Sequence, residues 1–152
     1  MTIAVSRLRR LAPLAAVGLL TIGAFAPAQA SPKKFAGSYT VTLLPDPSTN
    51  AFALAGTRNC TNVNPQAVDK RDVALPRAGR VDVVLDSPDP TGTGNTDWDL
   101  YVLDKSGDEL GSSHGGSSHE ETSFKLKSKQ SITVIVCNLA GQPNGTVTYS
   151  VA

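Results

Sequence analysis

The segment Asp97–Asp104 constrains the fold more than any other stretch, because its side chains alternate with a period of two residues. Trp98, Leu100 and Val102 fall on one face of an extended chain. The other face carries Asp97, Asp99, Tyr101 and Leu103. Aromatic and β-branched residues suit a pleated surface, and turn-forming residues flank the segment on both sides. The sequence therefore predicts a central β-strand with Trp98 in the core and Tyr101 towards the surface.

Short alternating or β-branched segments recur along the rest of the chain, separated by turn residues. They are Ser38–Leu44, Asp72–Leu75, Gly79–Leu85, Glu109–Ser112, Glu120–Lys127, Ser131–Cys137 and Thr146–Val151. The region 51–76 is less regular, with a weak apolar run at Ala51–Ala55, and the Ser- and Gly-rich stretch Ser112–Ser118 predicts a flexible loop. No helical stripe occurs after residue 30. The pattern predicts one all-β domain over residues 31–152, an antiparallel β-sandwich of seven to nine strands with jelly-roll-like or Greek-key connections.

Residues 1–30 have the composition of a secretory signal peptide. Arg7, Arg9 and Arg10 form a basic start, an apolar run follows, and Ala28-Gln29-Ala30 has the small-x-small form of a cleavage site. The apolar run is too short for a transmembrane helix, and no later segment could span a bilayer. We therefore expect a secreted protein that has no membrane contact after cleavage.

The charge of the remaining chain gives no sign of a nucleic-acid partner. Removing three arginines leaves 14 − 3 = 11 Lys and Arg against 13 Asp and Glu, a net charge of −2. Basic patches interleaved with aromatic residues, which nucleic-acid binding requires, do not occur. The expected partner is an extracellular polymer or protein, and the expected oligomeric state is a monomer.

The chain contains two cysteines, Cys60 and Cys137. An even number of cysteines in an exported protein favours a disulfide. Two free thiols or a metal-binding pair is the alternative, although neither cysteine has another Cys or a His at ligand spacing.

Carboxylates at the start of the Asp97 strand suggest a calcium site. Asp97 and Asp99 share one strand face, and Asp89 and Asn95 lie in the preceding loop. Calcium takes six to eight oxygen ligands, which carboxylates and loop carbonyls can supply. The alternative is a solvated strand entry, with Asp89 acting as an ordinary turn residue beside Pro90.

The histidines, His114 and His119, lie in or beside the Ser- and Gly-rich stretch, next to Glu120 and Glu121. A zinc or copper site could use them, and a hydrolase could combine one of them with a serine from this stretch. The candidate serines are Ser112, Ser113, Ser117 and Ser118. No Gly-x-Ser-x-Gly elbow frames a serine, and a mobile loop does not preorganise an oxyanion hole. We expect no enzyme; a small metalloprotein or hydrolase using the His114–Glu121 loop is the alternative.

The second half of the chain resembles a bacterial pre-peptidase C-terminal (PPC) domain. The motifs that carry the resemblance are Gly79–Leu85, Asp97–Asp104, the Gly107 turn, Ser112-Ser113, Glu120-Glu121, and Ser131–Val136 with Gly141 after it. The resemblance covers about residues 78–151 and implies a jelly-roll-like β-sandwich without catalysis of its own. Such domains usually accompany secreted peptidases and other exported enzymes. Some resemble collagen- or sugar-binding modules, and some bind calcium. This chain has no room for an enzyme domain, so its function must be argued from its own site.

Overall fold

The computed structural model describes residues 34–47, 60–90, 92 and 95–152. Within these ranges the chain forms eight β-strands and one 3₁₀ turn, Pro65–Ala67. The strands are β1 (Phe35–Thr42), β2 (Val68–Leu75), β3 (Gly79–Asp86), β4 (Asp97–Leu103), β5 (Glu109–His114), β6 (His119–Leu126), β7 (Gln130–Ala140) and β8 (Asn144–Val151). No helix within the described ranges has the length and apolar character needed to cross a bilayer. The signal-type segment and the run Ala51–Ala55 lie outside the described residues.

The strands form two four-stranded antiparallel sheets, which confirms the predicted all-β sandwich. The first sheet has the order β1-β8-β3-β6 and the second has the order β2-β7-β4-β5. Among the described strands, β4 and β5 are the only consecutive ones that pair, because the chain otherwise passes between the sheets at each connection. Such crossings bury one face of every strand against the opposite sheet.

The main core lies between the two sheets. It contains the apolar residues that alternate with polar ones in the sequence. Trp98 is fully buried there, as predicted. Each sheet contributes a face to this core, and its members include Val81, Val83, Leu85, Trp98, Leu100, Val102, Ile132, Val134, Val136, Val147 and Val151. Both faces of β7 are apolar, so the sequence does not indicate which of them faces the core. In the structure its even-numbered apolar residues lie in the inter-sheet core.

A second, smaller apolar cluster covers the outer face of the second sheet. The odd-numbered side of β7 supplies Ile135, Cys137 and Leu139, and β4 supplies Tyr101 and Leu103. Residues 60–67 cross this face and add the remaining members: Cys60, Val63 and Ala67. A disulfide between Cys60 and Cys137 fastens the crossing segment to the sheet, with the two Cα atoms 6.1 Å apart. The predicted pairing of these cysteines agrees with the structure.

Because of this cover, β4 is buried on both faces and the predicted surface position of Tyr101 is wrong. All seven residues of β4 are buried, and Tyr101 is only 2% exposed. Its ring stacks against that of His114, with centroids 6.0 Å apart. Alternation predicted correctly that Tyr101 points away from the inter-sheet core, but it could not show that a distant segment covers that face.

The predicted flexible loop Ser112–Ser118 is also corrected. Ser112, Ser113 and His114 belong to β5 and pair with β4. The short turn that remains is hydrogen-bonded at both sides: Trp98 N–H donates to Ser117 O (3.1 Å) and Ser87 N–H donates to Ser118 O (2.8 Å). Backbone pairing with fixed neighbours outweighs the flexible composition of this stretch.

Candidate functional site

Three carboxylates are buried around the beginning of β4, where the β5–β6 turn contacts the strand. They belong to Asp97, Asp99 and Glu120, which are 8%, 2% and 2% exposed. We call this group the acidic pocket. Asp97 and Asp99 are two of the predicted calcium ligands, and Glu120 is supplied by β6 of the other sheet. The charge of Glu120 contributes to the raised pKa of both aspartates, so the three carboxylates form one electrostatic group.

Backbone register explains why these side chains are buried. Asp99 lies opposite His114 of β5 and Cys137 of β7, so it shares the outer face that the disulfide covers. Glu120 lies opposite Leu85 of β3, which places it on the core side of the first sheet. Asp97 precedes an irregularity in the pairing of β4 with β7. Ordinary strand geometry thus directs charged groups away from solvent.

Hydroxyl groups provide the hydrogen bonds of this pocket. Ser113 Oγ donates to Glu120 Oε2 in a short contact, and Ser117 Oγ lies 2.8 Å from Glu120 Oε1. Tyr101 donates its hydroxyl to Asp99 Oδ2 at 3.4 Å, which is long for a hydrogen bond. Asp97 Oδ1 is buried and has no hydrogen-bond partner. Glu120 is therefore well held, whereas Asp97 carries an unsatisfied oxygen.

Burial and mutual repulsion disfavour the ionised carboxylates. Burial raises the pKa of Asp99 to about 6, and the negative charge of Asp97 adds to the increase. Burial also raises the pKa of Asp97, with a further contribution from Glu120. His114 acts in the opposite direction on Asp99. Loss of solvation and like charges are the standard causes of such shifts, and they identify the pocket as electrostatically unfavourable near neutral pH.

Asp89, the third predicted calcium ligand, has a local role in its own turn. Its carboxylate accepts a hydrogen bond from the backbone N–H of Gly92 at 3.1 Å, and its carbonyl oxygen accepts one from the same N–H at 3.2 Å. The charges that raise the pKa values of Asp97 and Asp99 come from within the acidic pocket. Whether Asp89, Asp97 and Asp99 bind calcium stays a prediction.

The two histidines lie on different sheets, and no hydrogen bond in the described part of the chain joins them. His114 ends β5 in the second sheet, whereas His119 begins β6 in the first. His119 Nδ1 lies 2.6 Å from Asp86 Oδ1, and this exposed hydrogen bond raises the pKa of His119. Ser113 and Ser117 hydrogen-bond to Glu120, and Ser112 donates to Glu109 at 2.8 Å. Ser112 and Ser113 thus donate to carboxylates, whereas Ser117 Oγ lies 2.6 Å from the backbone oxygen of His119 as well as near Glu120.

A polar groove crosses the outer face of the first sheet, and the sequence analysis did not single it out. Its volume is about 560 Å³. Small or hydroxyl-bearing residues line much of it: Ala36, Gly37, Ser38, Val84, Thr148 and Ser150. Lys34, Asp82 and Glu121 add charged groups. In β1 and β8, hydroxyl residues alternate with apolar ones. This pattern could have indicated the groove, but it fits an ordinary solvated face equally well.

Register places one row of the polar groove across all four strands. Ser38 lies opposite Thr148, Thr148 lies opposite Val84, and Val84 lies opposite Glu121. Directly opposite residues in antiparallel strands share a face, so these four side chains point to the same side of the sheet. Ser38, Thr148 and Glu121 are exposed. The row thus presents hydroxyl and carboxylate groups on a hydrogen-bonded scaffold.

Comparisons with known proteins gave a similar solved structure. No family model matches the chain, and no curated protein matches it. Among solved structures, the chain is similar to the pre-peptidase C-terminal domain of a collagenase from Bacillus anthracis, with 11% identity and a TM-score of 0.46. The match covers 76% of this chain and 88% of that domain. The family named by this structure is the one that residues 78–151 resemble. Binding has to be argued from the residues of this chain.

Proposed function

We propose that this protein is a secreted, non-catalytic β-sandwich module that binds an extracellular polymer or protein through the polar groove. The observation that carries the proposal is the groove itself, an open cavity of about 560 Å³ across one face of the sandwich. An extended ligand can lie across four strands without entering the core. Binding would use hydroxyl and carboxylate hydrogen bonds, with Val84 as a small apolar contact.

Rigidity of the scaffold favours binding by this surface. The strands beneath the groove pair without a register shift: β1 with β8, β8 with β3 and β3 with β6. A preformed surface loses little conformational entropy when a ligand binds, so more of the contact energy contributes to affinity. Water-mediated hydrogen bonds can supplement direct ones on such a polar face.

Export is supported by two independent features. The composition of residues 1–30 is typical of a secretory signal peptide, and the cross-link between Cys60 and Cys137 suits an oxidising compartment. The absence of catalysis is proposed because no described hydrogen bond joins a candidate serine hydroxyl to a histidine ring: His119 Nδ1 contacts Asp86, and the His114 ring stacks on Tyr101. A hydrolase would need a nucleophile and a base within hydrogen-bond reach of each other.

The test is binding to insoluble cell-wall material and to polymers and proteins from the producer's culture medium. Thr148→Trp places a large side chain in the groove at an exposed strand position. Its matched control, Ser106→Trp, places the same side chain in the exposed β4–β5 turn. We expect wild type and Ser106→Trp to bind equally and Thr148→Trp to bind at least about tenfold more weakly, a difference of about 1.4 kcal/mol.

Equal binding by the two tryptophan variants would show that the groove is not the binding surface. Failure of the wild type to bind any fraction would refute the proposed function. Hydrolysis of a polymer by the wild type, lost on His114→Ala or His119→Ala, would favour the enzyme alternative.

A further inference from the structure

We propose that the free edge of β1 pairs with β1 of a second copy of this chain, in antiparallel orientation. The two four-stranded sheets that contain β1 would then form one continuous sheet. The sequence alone favours a monomer, because local patterns do not show which strands lie at the edges of the sheets. The pairing itself does not depend on the proposed polymer binding, whereas its effect on the polar groove rests on that proposed function.

The edge strands of the described sheets differ in how they are protected against another strand. They are β1 and β6 in the first sheet and β2 and β5 in the second. β2 carries four consecutive charged residues, Asp69–Asp72, and β6 carries Glu120, Glu121 and Lys125. β5 has only six residues, and its pairing with β4 contains a register shift. Such features prevent association between sheet edges.

β1 has none of these protective features. It is eight residues long, it contains no charged residue and no proline, and it pairs with β8 without a register shift. Within the described ranges, β8 is the one strand that pairs with it. A long, regular and uncharged edge strand is a template for another strand, so β1 is the edge at which a second chain can be added.

The hydrogen-bond pattern between β1 and β8 shows which backbone groups of β1 point outward. Leu43 N–H donates to Pro143 O at 2.7 Å, and these two residues continue the register of the strand pair. Bonded and non-bonded residue pairs alternate in an antiparallel ladder, so the odd-numbered residues of β1 bond to β8. The even-numbered residues therefore direct N–H and C=O groups away from β8. They are Ala36, Ser38, Thr40 and Thr42.

The pairing of β8 with β3 gives the same assignment independently. Ala152 N–H donates to Arg80 O at 3.0 Å, which continues the register in which Val151 lies opposite Val81. The even-numbered residues of β8 therefore bond to β3, and its odd-numbered residues bond to β1. Two separate hydrogen bonds thus assign the same backbone groups to the free edge.

The side chains of β1 permit close approach of a second strand. All four even-numbered residues are exposed, and none of them is larger than threonine. On the inner face, Phe35 and Tyr39 pack against the core but remain partly exposed, because the described sheet ends at β1. A second sandwich at this edge would cover more of both rings, and burial of apolar surface favours association.

The distribution of charge favours a second copy in antiparallel orientation. Two copies of an uncharged strand can lie side by side without repulsion. Lys34 immediately precedes β1 and is the charged residue nearest to it in the sequence. Antiparallel pairing separates the two lysines by the length of the strand, whereas parallel pairing would place them together. An antiparallel contact of identical strands has two-fold symmetry, so it closes at a dimer.

Pairing of this kind would extend the polar groove across the interface. The register that uses every outward residue of β1 places Ser38 opposite the partner's Thr40. Ser38 lies opposite Thr148 within its own sheet, and Thr40 lies opposite Thr146. Hydroxyl-bearing residues would then follow one another across four neighbouring strands: Thr148, Ser38, the partner's Thr40 and the partner's Thr146. If the groove binds an extended polymer, one polymer chain can contact both copies and gain avidity.

The first measurement is sedimentation at about 10 µM to 1 mM protein, a range suited to a small interface. Thr40→Pro removes an outward N–H and no hydrogen bond to β8. Ser123→Pro is the matched control in β6, the other edge strand of this sheet. Ser123 is also exposed, and the bond from Ser87 N–H to Ser118 O shows that its N–H points outward as well. We expect wild type and Ser123→Pro to dimerise and Thr40→Pro to dimerise at least about tenfold more weakly.

A charge exchange tests whether β1 pairs with itself. The two residues at position 40 are diagonal neighbours across the two-fold axis, within reach of long side chains. Thr40→Lys and Thr40→Asp should each remain monomeric alone, because like charges meet at the axis. An equimolar mixture of the two variants should form dimers again. Recovery in the mixture also shows that both variants are folded.

Amide hydrogen exchange reports the free edge directly. The amides of Ser38 and Thr40 should become protected as the protein concentration rises, whereas those of Gly37 and Tyr39 should be protected throughout by β8. A monomer at the highest concentration, equal weakening by the two proline variants, or no dimer in the charge mixture would overturn the pairing. Protection of the edge in the monomer, or protection that requires an added peptide, would assign the edge to another segment or to a foreign strand and would also refute it.

Polymer binding separates the pairing from the proposed function. Thr40 does not line the groove within one copy, so weaker polymer binding by Thr40→Pro than by Ser123→Pro should reflect loss of the second copy. If the wild type dimerises but binds no polymer or protein, the proposed function fails and the pairing stands. If the wild type binds a polymer but sediments as a monomer throughout, the pairing fails and the proposed function stands.

Discussion

Reducing the Cys60–Cys137 disulfide should destabilise the protein strongly while leaving the inter-sheet core in place under native conditions. The cross-link closes a loop with a sequence separation of 77 residues. It fastens residues 60–67 over Tyr101 and Ile135, on the side of the second sheet that faces away from the main core. Its removal should therefore increase the conformational entropy of the unfolded chain and loosen the attachment of residues 60–67 to the second sheet.

The expected size follows from the closed loop. A chain-entropy model gives a stabilisation of about 4.5 kcal/mol at 25 °C for a separation of 77. Native strain and residual structure in the unfolded chain usually reduce that figure, so we expect a loss of about 3–4 kcal/mol. For a domain of roughly 120 residues, such a loss corresponds to a fall in melting temperature of about 10–20 °C.

The assay is urea unfolding of the oxidised protein, the reduced and alkylated protein, and the variant Cys60→Ala/Cys137→Ala. Trp98 fluorescence reports the inter-sheet core, and it should keep a buried, blue-shifted emission in all three proteins without urea. Leu44→Ala, at a position that is 62% exposed, provides a substitution control with little expected effect. A free-energy change below about 0.5 kcal/mol, or two alkylated cysteines in unreduced native protein, would refute the reasoning.

Three further predictions test the core and the acidic pocket. Trp98→Ala should destabilise by about 3–5 kcal/mol in urea unfolding, because a fully buried indole leaves a large cavity; an unchanged midpoint would contradict its core position. Gly145→Ala should cost about 1–3 kcal/mol, since the added Cβ would lie 3.2 Å from Leu85 Cδ1 and Trp98 Cη2; a stabilised variant would show that the core has room. In chelator, stability should fall by up to about 3 kcal/mol between pH 4 and pH 6, because folding raises the Asp99 pKa from 3.8 to about 6 and the folded state then binds more protons. Asp99→Asn should flatten that pH profile, and an equally steep profile in the variant would assign the titration to another group.

The inter-sheet core could be predicted from the sequence because it depends on local alternation. Val81, Val83 and Leu85 repeat every second residue, and all three are fully buried in β3. Trp98 follows the same rule in β4. Period-two patterning specifies which residues share a face, and a domain of this size must bury one face of nearly every strand. The boundaries were less certain: β2 begins at Val68 rather than near Asp72, where charged residues weaken the pattern.

The double burial of β4 could not be predicted because it depends on a contact distant in sequence. Residues 60–67 form one short 3₁₀ turn and little other regular structure, so their composition indicates no packing face. A disulfide to Cys137 holds them against the second sheet. The cysteine pair was the available signal, but it did not reveal which face of β7 carries Cys137. Alternation alone therefore predicts a surface position for Tyr101, although it gives the direction of the side chain correctly.

The alternating pattern around Glu120 allows two interpretations of where its side chain lies. In β6 it shares its face with Thr122, Phe124 and Leu126, so alternation places it on the inner side. Glutamate is rarely buried without a partner, and solvent exposure at the strand end was the simpler interpretation. The partners, Ser113 and Ser117, come from a stretch whose composition suggested flexibility. Their contact with Glu120 becomes visible only in the three-dimensional arrangement.

The position of the acidic pocket follows from the same packing that stabilises β4. A strand buried on both faces has no solvated side for its polar residues, so Asp99 must lie beneath the outer cover, opposite Cys137. Replacing Asp97 by an apolar residue would remove the cost of burying its charge. Retaining carboxylates at this point is costly for a purely structural strand. Because Asp97 and Glu120 belong to different sheets, the repulsion between their charges acts across the sandwich and adds to the cost of burying each carboxylate.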